Sequence, residues 1–554
     1  MGSYLPAVCL GRRTAAQIDS TCAILTDVTK FQCGCSVVPS PGDDFMDGGA
    51  FRYIAHMRGP GNPGGVRPLG PCAAGLTFGT PVALSRCVTN VHNALVFRHL
   101  APPKHRCLKN FENFLVTKLL THFKAHYFEA SLANQQGEWR VGKGINKLRK
   151  IDESVTVDFL RLTEANSFGK FEVHGRVALP TKARLIQGNK NEITAYHHAG
   201  EYRAMSKALS APINVVVGGC ECNFQYAGGM DHNALSDWIT EAISSTSSQR
   251  LFDERDGANW DSTMQEPLLR AEIELYRALG LQAAPEFEKR ATGVWGRIHV
   301  KGAGGDLQTI RYVTRWKRLS GDWNTSVGNT LLSMLVVLRT LSCLDPGLRP
   351  KMVWALFMGD DYLAVYDYHK RPDTKALLAE LNFHDESMGI TPVRALFEDP
   401  YKVTFISMGL WPTFDGKYQF VPQPAKQLVK LFWTTKRLRA GEIPDYQSAL
   451  ARAFWPVYWG FPMMMAFLKA HYTKPSTTWQ PSDVAVDAQY WLTPLTKENR
   501  GVDWQRGFVY KYDLPFTATN FRMPVEAGAY RHPLIDEMLR IECLDPNERP
   551  SRLA

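Results

Sequence analysis

The sharpest break in the hydrophobic pattern of this chain lies between Met352 and Tyr366. MVWALFM and YLAVY are short apolar runs rich in β-forming residues, and Gly359, Asp360 and Asp361 stand between them. The pattern predicts a hairpin with the glycine and both carboxylates at its tip. Upstream, RLSGDWNTSVGNTLLSMLVVLRTL (318–341) passes from a Ser320–Gly321 loop into an apolar period that predicts a long helix. Thr325 and Asn329 are four apart and therefore share one face of it. Helical periodicity also runs through 111–134 and through the segment after Asp261, where Pro267 falls in the first turn. In LPTKARLIQGNKNEITAYH (179–197), Lys182 and Arg184 alternate with apolar residues, as in an extended strand with both cations on one face, and Lys190 follows. GPGNPGGVRPLGP (59–71) reads as a long loop. From Leu428 to Tyr472 the chain is aromatic, basic and helical in period, which predicts a helical C-terminal subdomain whose Met and Trp residues are core.

Size and composition narrow the class. A chain of 554 residues exceeds a single core, so several domains, or one large enzyme with subdomains around a shared cleft, are expected. Hydrophobic residues at 45% and charged residues at 21% are globular proportions. The net charge of +10 favours a nucleic-acid partner but fits an ordinary basic enzyme as well. The 11 cysteines are scattered and odd in number, and the N-terminus lacks the pattern of a signal peptide, which points to a reducing, cytosolic setting. Cys33 and Cys35, and Cys220 and Cys222, form C-x-C pairs without a second pair at zinc-module spacing, so buried free thiols are the expectation. LLSMLVVL (331–338) stops at Arg339, so no apolar run reaches the roughly 18 residues of a membrane span. Pro6 stands where a myristoylation signal wants Ser or Thr.

The chemistry begins with Asp360 and Asp361. Burying one ionised carboxylate without a partner is costly, and two side by side also repel. A divalent cation resolves both problems, and Mg²⁺ favours carboxylate oxygen while also holding substrate phosphates. An ordinary acidic turn is the bland alternative. A second cluster, DERDGANWD, sets Asp256 and Asp261 in the spacing D-x4-D; five residues on from Asp253 lies Ala258, so the spacing selects Asp256. Asp261 or Ser262 could instead simply cap the following helix. Thr325 and Asn329 on an otherwise apolar helix suit a polar ligand such as a sugar, although Thr325 could be bonded back to its own helix. Lys182 and Arg184 suit a triphosphate, with a merely basic edge strand as the rival. RVGKGINKLRK (140–150) is a basic patch of the kind usually left solvated.

In this order, the four stretches resemble the RNA-dependent RNA polymerases of positive-strand RNA viruses, most closely the tombusvirus-like group and its nodavirus-like relatives. SGDWNTSVGNT matches that family's S-G-x3-T-x3-N-T, ARLIQ is similar to its basic fingers motif, DGANWD to its first palm motif and MGDDY to its third; YAGGMDHNALSDWI (226–239) is similar to the segment before the first. The likeness spans roughly 180–430. It implies an α+β right-hand fold of fingers, palm and thumb, with an antiparallel palm sheet flanked by helices and a mainly helical thumb. The implied divisions are an N-terminal extension at 1–110 bridging fingers and thumb, fingers at 111–245, palm at 246–276, a fingers insertion at 277–315, palm at 316–410, and thumb and C-terminal segment at 411–554. The implied activity adds ribonucleotides to an RNA 3′ end during viral genome replication. Asp256 and Asp360, assisted by Asp361, would hold two Mg²⁺ ions, with Mn²⁺ able to substitute. Asp261, Ser320, Thr325 and Asn329 would read the ribose 2′-hydroxyl, with Gly321 in the same nucleotide site. Lys182, Arg184 and Lys190 would neutralise the triphosphate, and FISMGLW (405–411) would match the primer grip.

Two departures stand out. The charged DERD replaces the usual apolar strand before the first palm carboxylate, and no lysine follows the third motif to protonate pyrophosphate, leaving Arg394, His384 or water for that task. The implied partners are template and nascent RNA, ribonucleoside triphosphates and other viral replication proteins. The implied location is the host cytoplasm, at membranes only through other proteins. The rival readings are a Mg²⁺-dependent phosphohydrolase or nuclease, which has no use for the Ser320, Thr325 and Asn329 face, and a non-catalytic RNA-binding replication scaffold, which has no reason to keep its carboxylates. A reverse transcriptase must accept nucleotides that lack the 2′-hydroxyl.

Overall fold

The structure is a computed structural model. It describes residues 199–301, 307–318, 320–322, 324–434, 438–472, 499–515 and 533–543, together with the shorter upstream stretches 22–26, 37–38, 55–58, 67–68, 82–84, 88–99, 103–107, 113–134, 164–169, 173–174 and 185–188. Over residues 213–422 the elements around the central sheet are β1 (Ile213–Val217), β2 (Cys220–Tyr226), α1 (His232–Ser244), β3 (Leu251–Gly257), α2 (Trp260–Thr263), α3 (Glu266–Ala278), α4 (Thr325–Cys343), β4 (Met352–Met358), β5 (Asp361–Asp367), α5 (Thr374–Ser387), β6 (Pro392–Phe397), β7 (Thr404–Phe405), β8 (Met408–Pro412) and β9 (Tyr418–Pro422). The same range also holds the helix Ala284–Thr292 and the strands Val294–Lys301 and Leu307–Thr314, which belong to a second sheet.

A six-stranded sheet in the order β6-β3-β5-β4-β2-β1 is the centre of the molecule. The sheet is mixed, which corrects the expectation of an antiparallel one: β2 runs parallel to β4, while the other four pairings are antiparallel. The cause is connectivity. Strands β2 and β3 both lead toward the same end of the sheet with α1 between them, and the β4–β5 hairpin inserts into the gap, as in a split βαβ unit.

Period-2 alternation gives the sheet two apolar faces. Val353, Ala355, Phe357, Tyr362, Ala364 and Tyr366 pack with α4 and α5. Phe252, Leu356, Leu363, Val365 and Phe397 pack on the other side with α1, β7–β9 and the C-terminal helices. Helix α4 is long and apolar enough to cross a membrane by length and composition, but 83% of that window is buried inside the protein, where it forms the core beneath the sheet. Asp231 caps α1 by accepting from the Asn233 and Ala234 amides at 3.0 and 2.8 Å. The aromatic, basic C-terminal region is helical as expected, over Pro424–Lys430, Ile443–Phe454, Pro462–His471, Trp504–Tyr512 and Pro533–Glu542.

The charged segment of β3 is explained by alternation. Asp253 and Arg255 point to the helix side, both essentially unexposed, and join a buried ion network. Arg394 of β6 lies 3.0 Å from Asp253 and 3.0 Å from Asp385 of α5, and Arg255 lies 3.3 Å from Asp385. The Tyr366 hydroxyl donates to Asp253 at 2.7 Å, and Arg255 donates to the Ser333 hydroxyl of α4. Burial pushes the Asp253 carboxyl up against the pull of Arg394 and Tyr366. Burial also works to lower the Arg394 guanidinium, but Asp253 and Asp385 outweigh it and hold it above its ordinary value. Glu254 faces the other way and accepts from the Thr404 amide and hydroxyl at 2.8 and 2.6 Å, fixing β7 to the sheet.

A second sheet, in the order Cys22–Thr26, Leu307–Thr314, Val294–Lys301, Glu164–Gly169, Leu185–Gly188, joins N-terminal strands to the segment between α3 and α4. Arg67–Pro68, inside the stretch expected to be a loop, pairs with Trp433–Thr434. Cys220 and Cys222 are buried free thiols 3.8 Å apart, while Cys33 and Cys35 lie outside the described residues.

Removing Asp385 leaves two buried guanidinium groups without their shared carboxylate, so Asp385→Ala is expected to cost about 3–5 kcal/mol and lower the denaturant midpoint. Glu537→Ala, which removes an exposed partner of Arg540, is the control expected to leave the midpoint unchanged. Equal midpoints for the two variants would contradict the role given to the network.

Candidate active site

The β4–β5 hairpin closes through Gly359 and Asp360, since Met358 pairs directly with Asp361. Gly359 has φ +67, and Asp360 is not among the residues with positive φ, the pattern of a type II′ turn with glycine at its first central position. Space is not what demands glycine, because a Cβ there would meet only Asn329 Cβ at 4.0 Å; the left-handed φ is. Helix α4 pins the turn. The Gly359 amide donates to the Thr330 hydroxyl at 2.9 Å, and that hydroxyl donates to the Ser326 carbonyl at 2.8 Å.

Strand register brings the carboxylates of the two segments together. Arg255 of β3 pairs with Tyr362 of β5, so one residue further along the same register Asp256 comes opposite Asp361. Alternation turns both side chains to the face away from α4 and α5, since Arg255 and Tyr362 occupy the helix side. Side chains directly opposite in such a pair have Cβ atoms about 4.5–5.5 Å apart. Asp256 is exposed there, and Asp360 and Asp361 are half-buried. Asp253, by contrast, is sealed beneath the sheet.

Beyond β3 the chain turns sharply. A Cβ at Gly257 would strike the Trp260 ring at 2.5 Å, and Asn259 is left-handed at φ 52. This delivers Asp261 within the short helix α2, 7% exposed, where its Oδ2 accepts from the Ser320 hydroxyl at 3.1 Å. Helix α3 begins separately at Glu266, with Gln265 at its N-cap, so Asp261 does not cap it. The loop carrying Ser320 and Gly321 (φ +94) is tied down on both flanks. Arg318 pairs with Glu272 of α3, Asn324 donates to Glu272 at 2.7 Å, and Arg290 lies 2.7 Å from Asp322. Thr325 donates to the Asp322 carbonyl at 2.5 Å, so its hydroxyl hydrogen is used by the start of α4. Asn329 is 5% exposed, and its Oδ1 has no hydrogen bond among the described residues. Its Cβ lies at the Gly359 turn.

Asp256, Asp360, Asp361, Asp261, Ser320 and Asn329 therefore gather at one end of the sheet. Lys182, Arg184 and Lys190 lie outside the described residues, as does the basic stretch 140–150; only the adjoining strand Leu185–Gly188 is described, at the edge of the second sheet. Arg394 is locked beneath the sheet, on the face opposite Asp256, and cannot meet a leaving group there. His384 lies on α5, 3.6 Å from Glu380. Among the described residues, no three His, Cys, Asp or Glu side chains are gathered closely enough to hold an ion as they stand. The donor chemistry still fits a hard divalent cation, because all three candidate ligands are carboxylates, two on the paired strands β3 and β5 and one in the turn beside them, at an accessible end of the sheet.

Two residues escaped the sequence reading. Thr330 stood inside the quoted motif, and its hydroxyl beside Asn329 was the available signal. Arg98, whose Nη1 lies 3.6 Å from Asp261 Oδ2, gave none.

Residues 221–438 match the family model described as RNA dependent RNA polymerase. The enzyme is an RNA-directed RNA polymerase, a nucleotidyltransferase. The match supports the type found in positive-strand RNA viruses, and it fits the mixed sheet as a polymerase palm. It contains every candidate site residue except Lys182, Arg184 and Lys190. No curated protein matches the chain.

Thr330→Val orphans the buried Gly359 amide, at about 1–3 kcal/mol. Nucleotide incorporation by this polymerase is expected to fall about tenfold or more, with Thr330→Ser near wild type. Equal activity of the Val and Ser variants in a single-nucleotide extension assay would show that the hydroxyl does not hold the turn.

Proposed function

We propose that this chain is the catalytic subunit of a viral replicase of the tombusvirus-like and nodavirus-like group, extending an RNA 3′ end by two-metal-ion nucleotidyl transfer. The observation that carries the reading is the register placing Asp256 opposite Asp361 beside the pinned Gly359 turn. Asp256, Asp360 and Asp361 would hold Mg²⁺. When bound, such ions acidify the primer 3′-hydroxyl and neutralise the leaving pyrophosphate.

The chain's own residues select and orient the nucleotide. Asp261, held by Ser320, and Asn329, through its buried Oδ1, are two acceptors facing the ribose, and the single hydrogen of the 2′-hydroxyl goes to one of them. A deoxynucleotide brings no such hydrogen and leaves both acceptors unpaired. Lys182, Arg184 and Lys190 would hold the triphosphate. With Arg394 buried, His384 or water would protonate the leaving pyrophosphate.

The assignment of fingers, palm and thumb follows the same proposal. Pairing of Arg67–Pro68 with Trp433–Thr434, and of Cys22–Thr26 with Leu307–Thr314, supports an N-terminal extension that bridges fingers and thumb. The turn joining β7 and β8 holds Ile406 and Ser407 at φ 45 and 63, a strained pair that would serve as the primer grip. The site of action would be the host cytoplasm, with membrane association supplied by other replication proteins. A phosphohydrolase or nuclease has no use for the ribose-facing group.

Asp360→Asn is expected to abolish Mg²⁺-dependent incorporation on an RNA template while RNA binding stays largely intact; full activity in that variant would refute the assignment. Asn329→Ala and Asp261→Ala are expected to relax discrimination against deoxynucleotides, and an unchanged ratio of ATP to dATP incorporation would remove the ribose reading.

A further inference from the structure

The N-terminal region reaches the candidate ribose site. Helix Val88–Ala94 runs on into a π-helical turn, Leu95–His99, that contacts α2. Such widened turns are rare and presented side chains often serve a site. This one presents Arg98, which is 4% exposed, to Asp261, which is 7% exposed. The guanidinium Nη1 lies 3.6 Å from Asp261 Oδ2, the same oxygen that accepts from Ser320.

Further along, His105 and Cys107 grip the segment after α2, at Gln265. The Cys107 amide donates to Gln265 Oε1 at 2.9 Å, and Gln265 Nε2 donates to the His105 carbonyl at 3.0 Å, across 158 and 160 residues of chain. A Cβ at Gly389 would strike Gln265 Nε2 at 2.1 Å and approach the Cys107 amide at 3.2 Å, so the fit allows no slack. His105 also lies 3.6 Å from Glu386. The segment from Asp261 to Gln265 is thus held at one end by Arg98 and at the other by His105 and Cys107.

We infer that Arg98 is a positioning residue for nucleotide selection: it neutralises and orients the Asp261 carboxylate, so that the N-terminal region sets the discrimination between ribose and deoxyribose. The inference rests on the reading of Asp261 as a ribose contact. Without its cation partner, this buried carboxylate is no longer held in place, and a fixed acceptor is lost. Arg98 touches no reacting atom in this account. Its effect passes through Asp261.

The test uses the full chain and measures kcat/KM for ATP and dATP on one RNA template, for wild type, Arg98→Gln, Arg98→Lys, Asp261→Ala and the Arg98→Gln/Asp261→Ala double variant. Gln is neutral and polar and keeps the first part of the Arg stem, and the denaturant midpoint of each variant establishes that it is folded. Arg98→Gln is expected to lower the ATP/dATP ratio about tenfold, mainly through a higher KM for ATP. Arg98→Lys is expected to recover part of the loss. In the Asp261→Ala background the Gln substitution is expected to change the ratio no further. An unchanged ratio in Asp261→Ala would defeat the ribose reading itself. A lowered ratio there with no change in Arg98→Gln would overturn this inference alone, as would an effect of Arg98→Gln that persists undiminished without Asp261.

Discussion

The pairing of β3 with β5 is the constraint on which the site depends. Side chains alternate across a sheet, so a slip of one residue would exchange the two faces of β3. Asp256 and Glu254 would then be driven against α4 and α5, and Asp253 and Arg255 would surface. The buried contacts among Asp253, Arg255, Asp385 and Arg394 are satisfied in one register only. A charged strand, at first sight a poor choice for the middle of a sheet, therefore carries its own lock. The carboxylate that faces outward does so because its two charged neighbours are matched within.

Around that lock the rest of the site is built by attachment to helices. Helix α4 holds the Gly359 turn through Thr330 and brings Asn329 to its side. Helix α3 holds the Ser320–Gly321 loop through Glu272, whose carboxylate meets Arg318, Asn324 and the Tyr276 hydroxyl. A Cβ at Gly328 would collide with Glu272 Oε1 at 2.1 Å, so the glycine inside the quoted motif serves helix packing rather than a ligand. Each candidate group is thus fixed by an element whose own packing is deep in the core, the arrangement that preorganised chemistry requires.

Much of this was legible in the sequence, and the reasons are local. The Gly359 hairpin, the helix after Asp261 with its Pro267 and the helix from Thr325 each carry a periodic signal within a few turns or strand residues. D-x4-D separated Asp256 from Asp253 by spacing alone, and burial separates them again. What was not legible involves distance along the chain. The parallel pairing of β2 with β4 joins segments more than a hundred residues apart and leaves no trace in either. The charged partners of Asp253 and Arg255 lie on α5 and β6, so DERD looked like an anomaly. Arg98 is one arginine among many until the fold sets it beside Asp261. Thr325 shows the limit of facing arguments, since four-residue spacing placed it beside Asn329 while its hydroxyl turned back to Asp322.

The central claim is that Asp256 and the Gly359 turn hold the same pair of cations. Substitution of Fe²⁺ for Mg²⁺, followed by localised hydroxyl-radical cleavage of the backbone, reads this directly. A shared pair of cations gives cuts near residue 256 and near residues 359–361 together, both suppressed by excess Mg²⁺ and both lost in Asp360→Asn. Cleavage at one segment without the other, or at neither, would contradict it.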